Sequence, residues 1–246
     1  MEVRINRFLS EAGVCSRRAA DKMISEGRVT IDGEVACLGS KADEASIVCV
    51  DGRPVTKVKK DILIAFNKPV GIVCTATDKQ GKNNVIDYIN FDERIYPVGR
   101  LDKDSEGLLL LTNNGDLTYR LLKADGEHEK EYIVETDKPV TKEFIDRLAN
   151  GIYLKDLDKT TAGCKVKPIF KNNSDKTKTF SIILVQGLNR QIRRMCEECG
   201  YKVRKLKRIR IMNIMLGNLK TGEYRYVKGA EYEKLLKSLN PEGRNE

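Results

Sequence analysis

Residues 97–108, Pro97-Val98-Gly99-Arg100-Leu101-Asp102-Lys103-Asp104-Ser105-Glu106-Gly107-Leu108, lead straight into the apolar block Leu108–Leu111 and constrain this chain more than any other stretch. Four successive leucines before Thr112, closed by the turn Asn113-Asn114-Gly115-Asp116, read as a core strand. An arginine and a carboxylate two residues apart therefore sit where the chain enters a sheet, and a loop side chain there is held rigidly at the sheet's mouth. Asp102 becomes a candidate nucleophile, and Arg100 a cation suited to a phosphate backbone. Asp102 and Asp104 are also the type of pair that cleaves glycosidic bonds, if they converge. Asp104 equally well caps the turn.

The flanking sequence extends this into a larger domain. Ile62–Phe66 is a short buried strand ended by Asn67-Lys68-Pro69-Val70-Gly71. Asp116 caps a helix carrying Leu117, Leu121 and Leu122, and Tyr132–Thr136 is a further strand. Thr141 starts a helix that buries Phe144, Ile145 and Leu148 and stops at Gly151. The β-branched strand Phe180–Val185 follows a polar loop around residues 172–177. Asn189 is positioned to cap a helix running to Gly200, with Ile192, Met195, Cys196 and Cys199 as its buried stripe and Arg190, Arg193, Arg194 and Glu197 opposite. Strands with interspersed helices and no regular βα alternation predict an α+β fold with a largely antiparallel mixed sheet.

The first 60 residues form a separate pattern. Ile5, Phe8, Leu9 and Ala12 make the stripe of a short amphipathic helix ending at Gly13. Ser16 caps a second helix that buries Ala20, Met23 and Ile24 and stops at Gly27. Hairpins follow on Asp32-Gly33 and Asp51-Gly52. The expected organisation is a small domain with its linker at 1–60, a larger domain at 61–239, and a disordered polar tail at 240–246.

No apolar run approaches the roughly 20 residues that cross a bilayer, and the N-terminus lacks the apolar core of a secretion signal. A cytoplasmic protein is expected, and seven cysteines then read as free thiols. The net charge is +9, and its distribution is informative. Residues 186–210 hold nine Lys/Arg against two Glu, interleaved with Ile192, Met195, Val203, Leu206 and Ile209. Such a run lies on ordered structure able to track phosphates. Cys196-Glu-Glu-Cys199 lacks the second ligand pair of a zinc site, and both thiols fall at helix core positions, so packing is expected. His128, the single histidine, sits in a hydrophilic run and reads as a surface residue. No phosphate-binding glycine loop occurs, and neither a metal nor a nucleotide cofactor is expected.

Several of these pieces carry a family likeness. Arg4-Ile5-Asn6-Arg7, Cys15-Ser16-Arg17-Arg18, Gly27-Arg28-Val29 and Asp32-Gly33 resemble the S4 RNA-binding domain. Asn67-Lys68-Pro69-x-Gly71, Gly99-Arg100-Leu101-Asp102, Glu129-Lys130-Glu131-Tyr132 and Gly187–Arg194 resemble, in order, the RNA pseudouridine synthases of the RsuA/RluB/RluE/RluF family. The resemblance implies Asp102 as nucleophile, Tyr132 stacking on the target base, and Arg193 pairing with the catalytic carboxylate. It implies RNA contacts from Arg4, Arg7, Ser16, Arg17, Arg18, Lys68, Arg100, Arg190, Gln191 and Arg194. It also implies a monomer acting on structured RNA, 23S ribosomal RNA first and a tRNA stem-loop second. The rival expectation is a non-catalytic RNA-binding or ribosome-assembly factor on the same fold. A hydrolase releasing free uracil is a distant third.

Overall fold

The structure, a computed structural model, describes residues 2–56, 61–75, 83–123, 128–170 and 175–239. All of the expected linker at 56–60 except Thr56, the tail at 240–246 and part of the loop at 172–177 lie outside these residues. The chain divides into two compact units: Met1–Ile62 with residues 91–95 and 113–115, and the remainder.

In the N-terminal unit, β1 (Val3–Arg4) leads into α1 (Ile5–Glu11) and α2 (Arg17–Ser25). The Ser16 side chain accepts from Ala19 N at 3.2 Å, the cap expected from sequence. β2 (Val29–Ile31) and β3 (Glu34–Val35) form a hairpin, β4 (Lys41–Ala42) pairs with β1, and β5 (Val48–Val50) joins β2 and β6 (Arg53–Pro54). Asp32 and Gly33 both take positive φ, 51° and 91°, the conformation a two-residue hairpin turn demands. Ile5, Phe8, Leu9, Ala20, Ile24 and Val29 close a small core.

The second unit is built on one mixed sheet. In chain order its elements are β7 (Leu63–Lys68), α3 (Val85–Ile89), β8 (Tyr96–Pro97), β9 (Glu106–Thr112), α4 (Gly115–Leu122) and β10 (Lys130–Thr136). There follow α5 (Lys142–Asn150), the small ladder β11 (Tyr153–Leu154) with β12 (Lys159–Thr160), β13 (Lys165–Pro168), β14 (Thr179–Leu184) and α6 (Gln191–Glu198). β15 (Val203–Ile211), β16 (Ile214–Met215), β17 (Tyr224–Tyr226) and α7 (Gly229–Leu239) complete it. The sheet order is β13-β14-β10-β15-β9-β7-β17, with β16 beside β15 and β8 beside β9. Its pairings are antiparallel except that of β15 with β9, which is parallel. The fold is the expected α+β arrangement of helices and a largely antiparallel mixed sheet.

Packing explains why this sheet holds. Leu108–Leu111 on β9 are all fully buried, as the leucine block demanded. Leu108 and Leu110 pack with Leu63, Leu117, Leu121, Ile211 and Leu235. On the other side of β15, Val134, Phe144, Leu148, Phe180, Ile182, Ile192 and Met195 form a separate core with Leu206. Each such side chain taken from water contributes about 1.5–3 kcal/mol. Gly107 lies opposite Arg208 across the parallel pair. At its φ of 107° a β-carbon would drive into the Arg208 carbonyl oxygen and come 2.8 Å from its amide nitrogen, so the approach requires glycine.

Candidate active site

Asp102 sits in a tight turn, with Ser105 N donating to Asp102 O at 3.1 Å, between Gly99 (φ 75°) and β9. Three contacts from distant segments fix this turn. Gly71 N donates to Lys103 O at 2.8 Å. Leu101 N donates to the buried Cys74 Sγ at 3.4 Å. Arg193 Nη2 donates to Asp104 O at 2.9 Å and Ser105 Oγ at 3.3 Å. The Asp102 side chain is left 29% exposed, at the edge of a cavity of about 730 Å³. That volume falls in the range of ligand-binding pockets, about 300–1,000 Å³.

The cavity is lined by residues 98–102, by Leu121–Lys123 at the end of α4, by Lys130 and Tyr132 on β10, by residues 184–192, and by Leu206, Arg208 and Ile211 on β15. Lys130 and Tyr132 share a face because side chains two apart on a strand do. Tyr132 is the cross-strand partner of Arg208, whose guanidinium carbon lies 6.0 Å from the tyrosine ring centroid. Lys130 Nζ donates to His128 O at 3.0 Å, and burial, with Arg208 nearby, lowers its ammonium below the ordinary lysine value.

The cation nearest Asp102 is Arg190, whose Nη1 lies 3.9 Å from Asp102 Oδ2 and equally far from Asp104 Oδ2. The expected pairing of Arg193 with Asp102 is therefore corrected. Arg190 occupies the left-handed conformation before α6, φ 51° and ψ 32°, and faces the carboxylate. Arg193, one helical turn on, gives its N–H groups to Val203 O and to the backbone and hydroxyl of the turn.

Other expectations change in the same way. Lys68, assigned to RNA, is fully buried at the end of β7, and its Nζ donates to Pro69 O at 2.7 Å and Ile72 O at 2.9 Å. Burial lowers its ammonium below the ordinary lysine value. Gln191, also assigned to RNA, is buried and accepts from Leu188 N at 3.1 Å, bracing its own loop. Arg194 holds Asn189 O at 3.0 Å and pairs with Asp156, so it too secures the loop. Asn189 is not the cap; the N-cap position belongs to Arg190. His128 is buried and lines the cavity, with Nε2 3.0 Å from Arg120 O. Arg100 is exposed at the rim, and Arg4, Ser16, Arg17 and Arg18 are exposed on the N-terminal unit. Arg7 is partly buried and pairs with Glu11 at 2.6 Å.

The sequence reading missed Arg208 and Lys130 as cavity residues. Arg208 is one of nine cations in the 186–210 run, and nothing in their spacing marks it as the buried one. Lys130 stood inside the quoted Glu129–Tyr132 string without a role. Among the described residues no group of three or more His, Cys, Asp or Glu gathers to hold a metal, and no helix is long and apolar enough to cross a membrane.

Residues 62–198 match the RNA pseudouridylate synthase family, and residues 3–41 the S4 domain. The chain belongs to the RNA pseudouridylate synthase family. It is 46% identical over 239 residues, 96% of this chain and 79% of the relative, to the dual-specificity RNA pseudouridine synthase RluF of Escherichia coli K12. It is 35% identical to ribosomal large subunit pseudouridine synthase B of Bacillus subtilis, covering 98% of each chain. A crystal structure of a pseudouridylate synthase superposes with a TM-score of 0.67 at 29% identity, covering 95% of this chain and 99% of that one. The protein is thus an RNA pseudouridine synthase, with an S4 domain before its catalytic domain.

Proposed function

We propose that this synthase isomerises uridine at defined positions of structured 23S ribosomal RNA, using Asp102 as nucleophile. The cavity carries the proposal: a carboxylate at its mouth, an aromatic ring in its wall, and arginines at two depths. In the isomerisation the N1–C1′ bond breaks, the uracil turns, and a C5–C1′ bond forms. The C5 hydrogen leaves as a proton and N1 takes one up. Composition is unchanged, so the reaction calls for no cofactor or metal.

Asp102 attacks C1′ or the base C6 as an anion, and Arg190 supplies the adjacent positive charge that such a nucleophile needs in a pocket. The uridine must leave its stack to turn, and Tyr132 offers the platform on which a flipped base rests. Arg100, exposed at the rim, fills the space the base vacates or holds the neighbouring phosphate. Arg193 acts on the nucleophile indirectly, by positioning its turn. Arg4, Arg7, Ser16, Arg17 and Arg18 grip the flanking RNA helix.

The large-subunit name of the Bacillus subtilis relative supports the choice of target. A second RNA such as a tRNA stem-loop is in keeping with the dual-specificity name of the Escherichia coli relative. The working species in this proposal is a cytoplasmic monomer.

The test incubates unmodified 23S rRNA with wild-type and Asp102→Asn protein and maps pseudouridine by carbodiimide treatment and primer extension. Wild type is expected to modify one or a few positions and Asp102→Asn none. Equal modification by both removes Asp102 from the mechanism.

A further inference from the structure

We infer that Arg208 donates a hydrogen bond to a carbonyl oxygen of the flipped uracil, and holds the base in its poses both before and after it turns. The inference rests on the reading of this cavity as the site of uridine isomerisation.

Arg208 is only 4% exposed. Its Nε donates to Leu108 O at 2.7 Å, which fixes the guanidinium against β9. Its Nη2 is buried yet meets no hydrogen-bond partner. A buried, charged donor left without an acceptor is costly, and calls for a partner that the protein itself does not supply. Arg208 lines the Asp102 cavity and stands beside the Tyr132 ring.

The chemistry of the missing partner follows from arginine itself. A guanidinium has donors and no acceptor, so what it meets must be an acceptor. A target nucleotide brings phosphate oxygens, ribose oxygens and base carbonyls as acceptors, and their position in the site separates them. Arg190, 41% exposed, and Arg100 stand at the rim, where a solvated phosphate remains. Arg208 lies beside the aromatic platform, and a base, not a phosphate, stacks on an aromatic ring.

The turn of the base gives the contact a second use. Exchanging N1 for C5 is a half-rotation about the line through N3 and C6. The same rotation exchanges the C2 and C4 carbonyls. A donor fixed on one carbonyl before the turn therefore meets the other after it. Between cleavage of N1–C1′ and formation of C5–C1′ the base has no bond to the sugar, and Arg208 holds it through that interval.

The experiment uses an rRNA fragment carrying uridine, 2-thiouridine or 4-thiouridine at the target position. Single-turnover conversion to the C-nucleoside is followed by nucleoside chromatography, and fragment affinity is measured separately. Sulfur is a weaker acceptor than oxygen. Wild type is expected to convert both thio-substrates about 10-fold or more slowly than uridine, with affinity changed less than about 3-fold. Arg208→Met is expected to convert uridine about 100-fold more slowly and to treat the three substrates alike, with Arg208→Lys intermediate. Equal rates for all three substrates with wild type overturn the inference, and this arm stands even if the Met variant does not fold. Full thio-discrimination retained by a folded Arg208→Met overturns it as well. A wild-type protein that leaves plain uridine unconverted instead overturns the reading beneath it.

Discussion

Arg17 and Arg18 stand exposed on the first turn of α2, whereas Arg193 and Arg208 in the larger unit direct N–H groups at Asp104 O, Ser105 Oγ and Leu108 O. Accessible charge of the first kind attracts a polyanion over a distance and is screened by salt. The second pair acts through oriented donors, Arg208 buried and Arg193 half-buried, where salt has less reach and geometry is decisive. On the proposed reading, one residue type thus serves recognition in one unit and construction of the site in the other. Counting basic residues along the chain does not separate the two uses.

The contrast is broken most sharply at Asp102. Asp102→Asn is expected to lower single-turnover pseudouridine formation by at least about 10³-fold while RNA affinity in filter binding changes less than about 3-fold. Comparable losses in both measurements would place Asp102 among the binding groups instead. Next in size is Gly107→Ala, which forces a β-carbon onto the Arg208 backbone. It is expected to cost about 3 kcal/mol or more and to lower the melting temperature by roughly 6–12 °C.

Lys68→Met tests whether a buried lysine belongs with the constructional group. It leaves Pro69 O and Ile72 O without their donor and is expected to cost about 1–3 kcal/mol in urea unfolding. The salt dependence of RNA binding should not change. Because burial lowers the Lys68 ammonium in the folded state, the unfolded chain binds more protons just below the ordinary lysine pKa. The stability of wild type relative to Lys68→Met should therefore rise with pH through that window. A salt slope reduced by about 1 would return Lys68 to the phosphate-binding residues.

A smaller effect is expected from Arg17→Ala/Arg18→Ala: RNA binding about tenfold weaker, a salt slope lower by about 1 for each phosphate no longer neutralised, and an unchanged rate at saturating RNA. Smallest is thiol chemistry. Cys37 is exposed, whereas burial pushes the Cys196 thiol up to about 12. A disulfide reagent at neutral pH should label Cys37 at once and Cys196 only after unfolding.

The N-terminal unit was readable because its signals are local: a Ser16 cap, glycines after each helix and two Asp-Gly turns. The same holds for β9, where four leucines leave no alternative. β15, the longest strand, was not identified as one. Its register shifts against β10 at Glu131/Tyr132 and Glu135/Thr136 break the alternation, and its Lys and Arg side chains mask the apolar positions. Within the site, Asp102 and Tyr132 were found as side chains of the same cavity. Arg190, not Arg193, stands beside Asp102, which went unread because the left-handed backbone at Arg190 cannot be seen in a Gly-Leu-Asn-Arg string. Lys68 and His128 were misjudged because their partners are main-chain carbonyls, which leave no trace in residue type.

The position of β15 has a consequence for the newly made chain. β7, β8, β9 and β17 lie on one side of it and β10, β13 and β14 on the other, and in the ladder only β15 joins the two groups. Asp102 enters the first group through β9, and Tyr132 belongs to the second. A chain made only as far as residue 202 therefore holds Asp102 and Tyr132 in strand groups that no ladder yet joins. On the proposed reading these two groups can meet only once β15 has entered the sheet, so activity is expected no earlier than that point in synthesis.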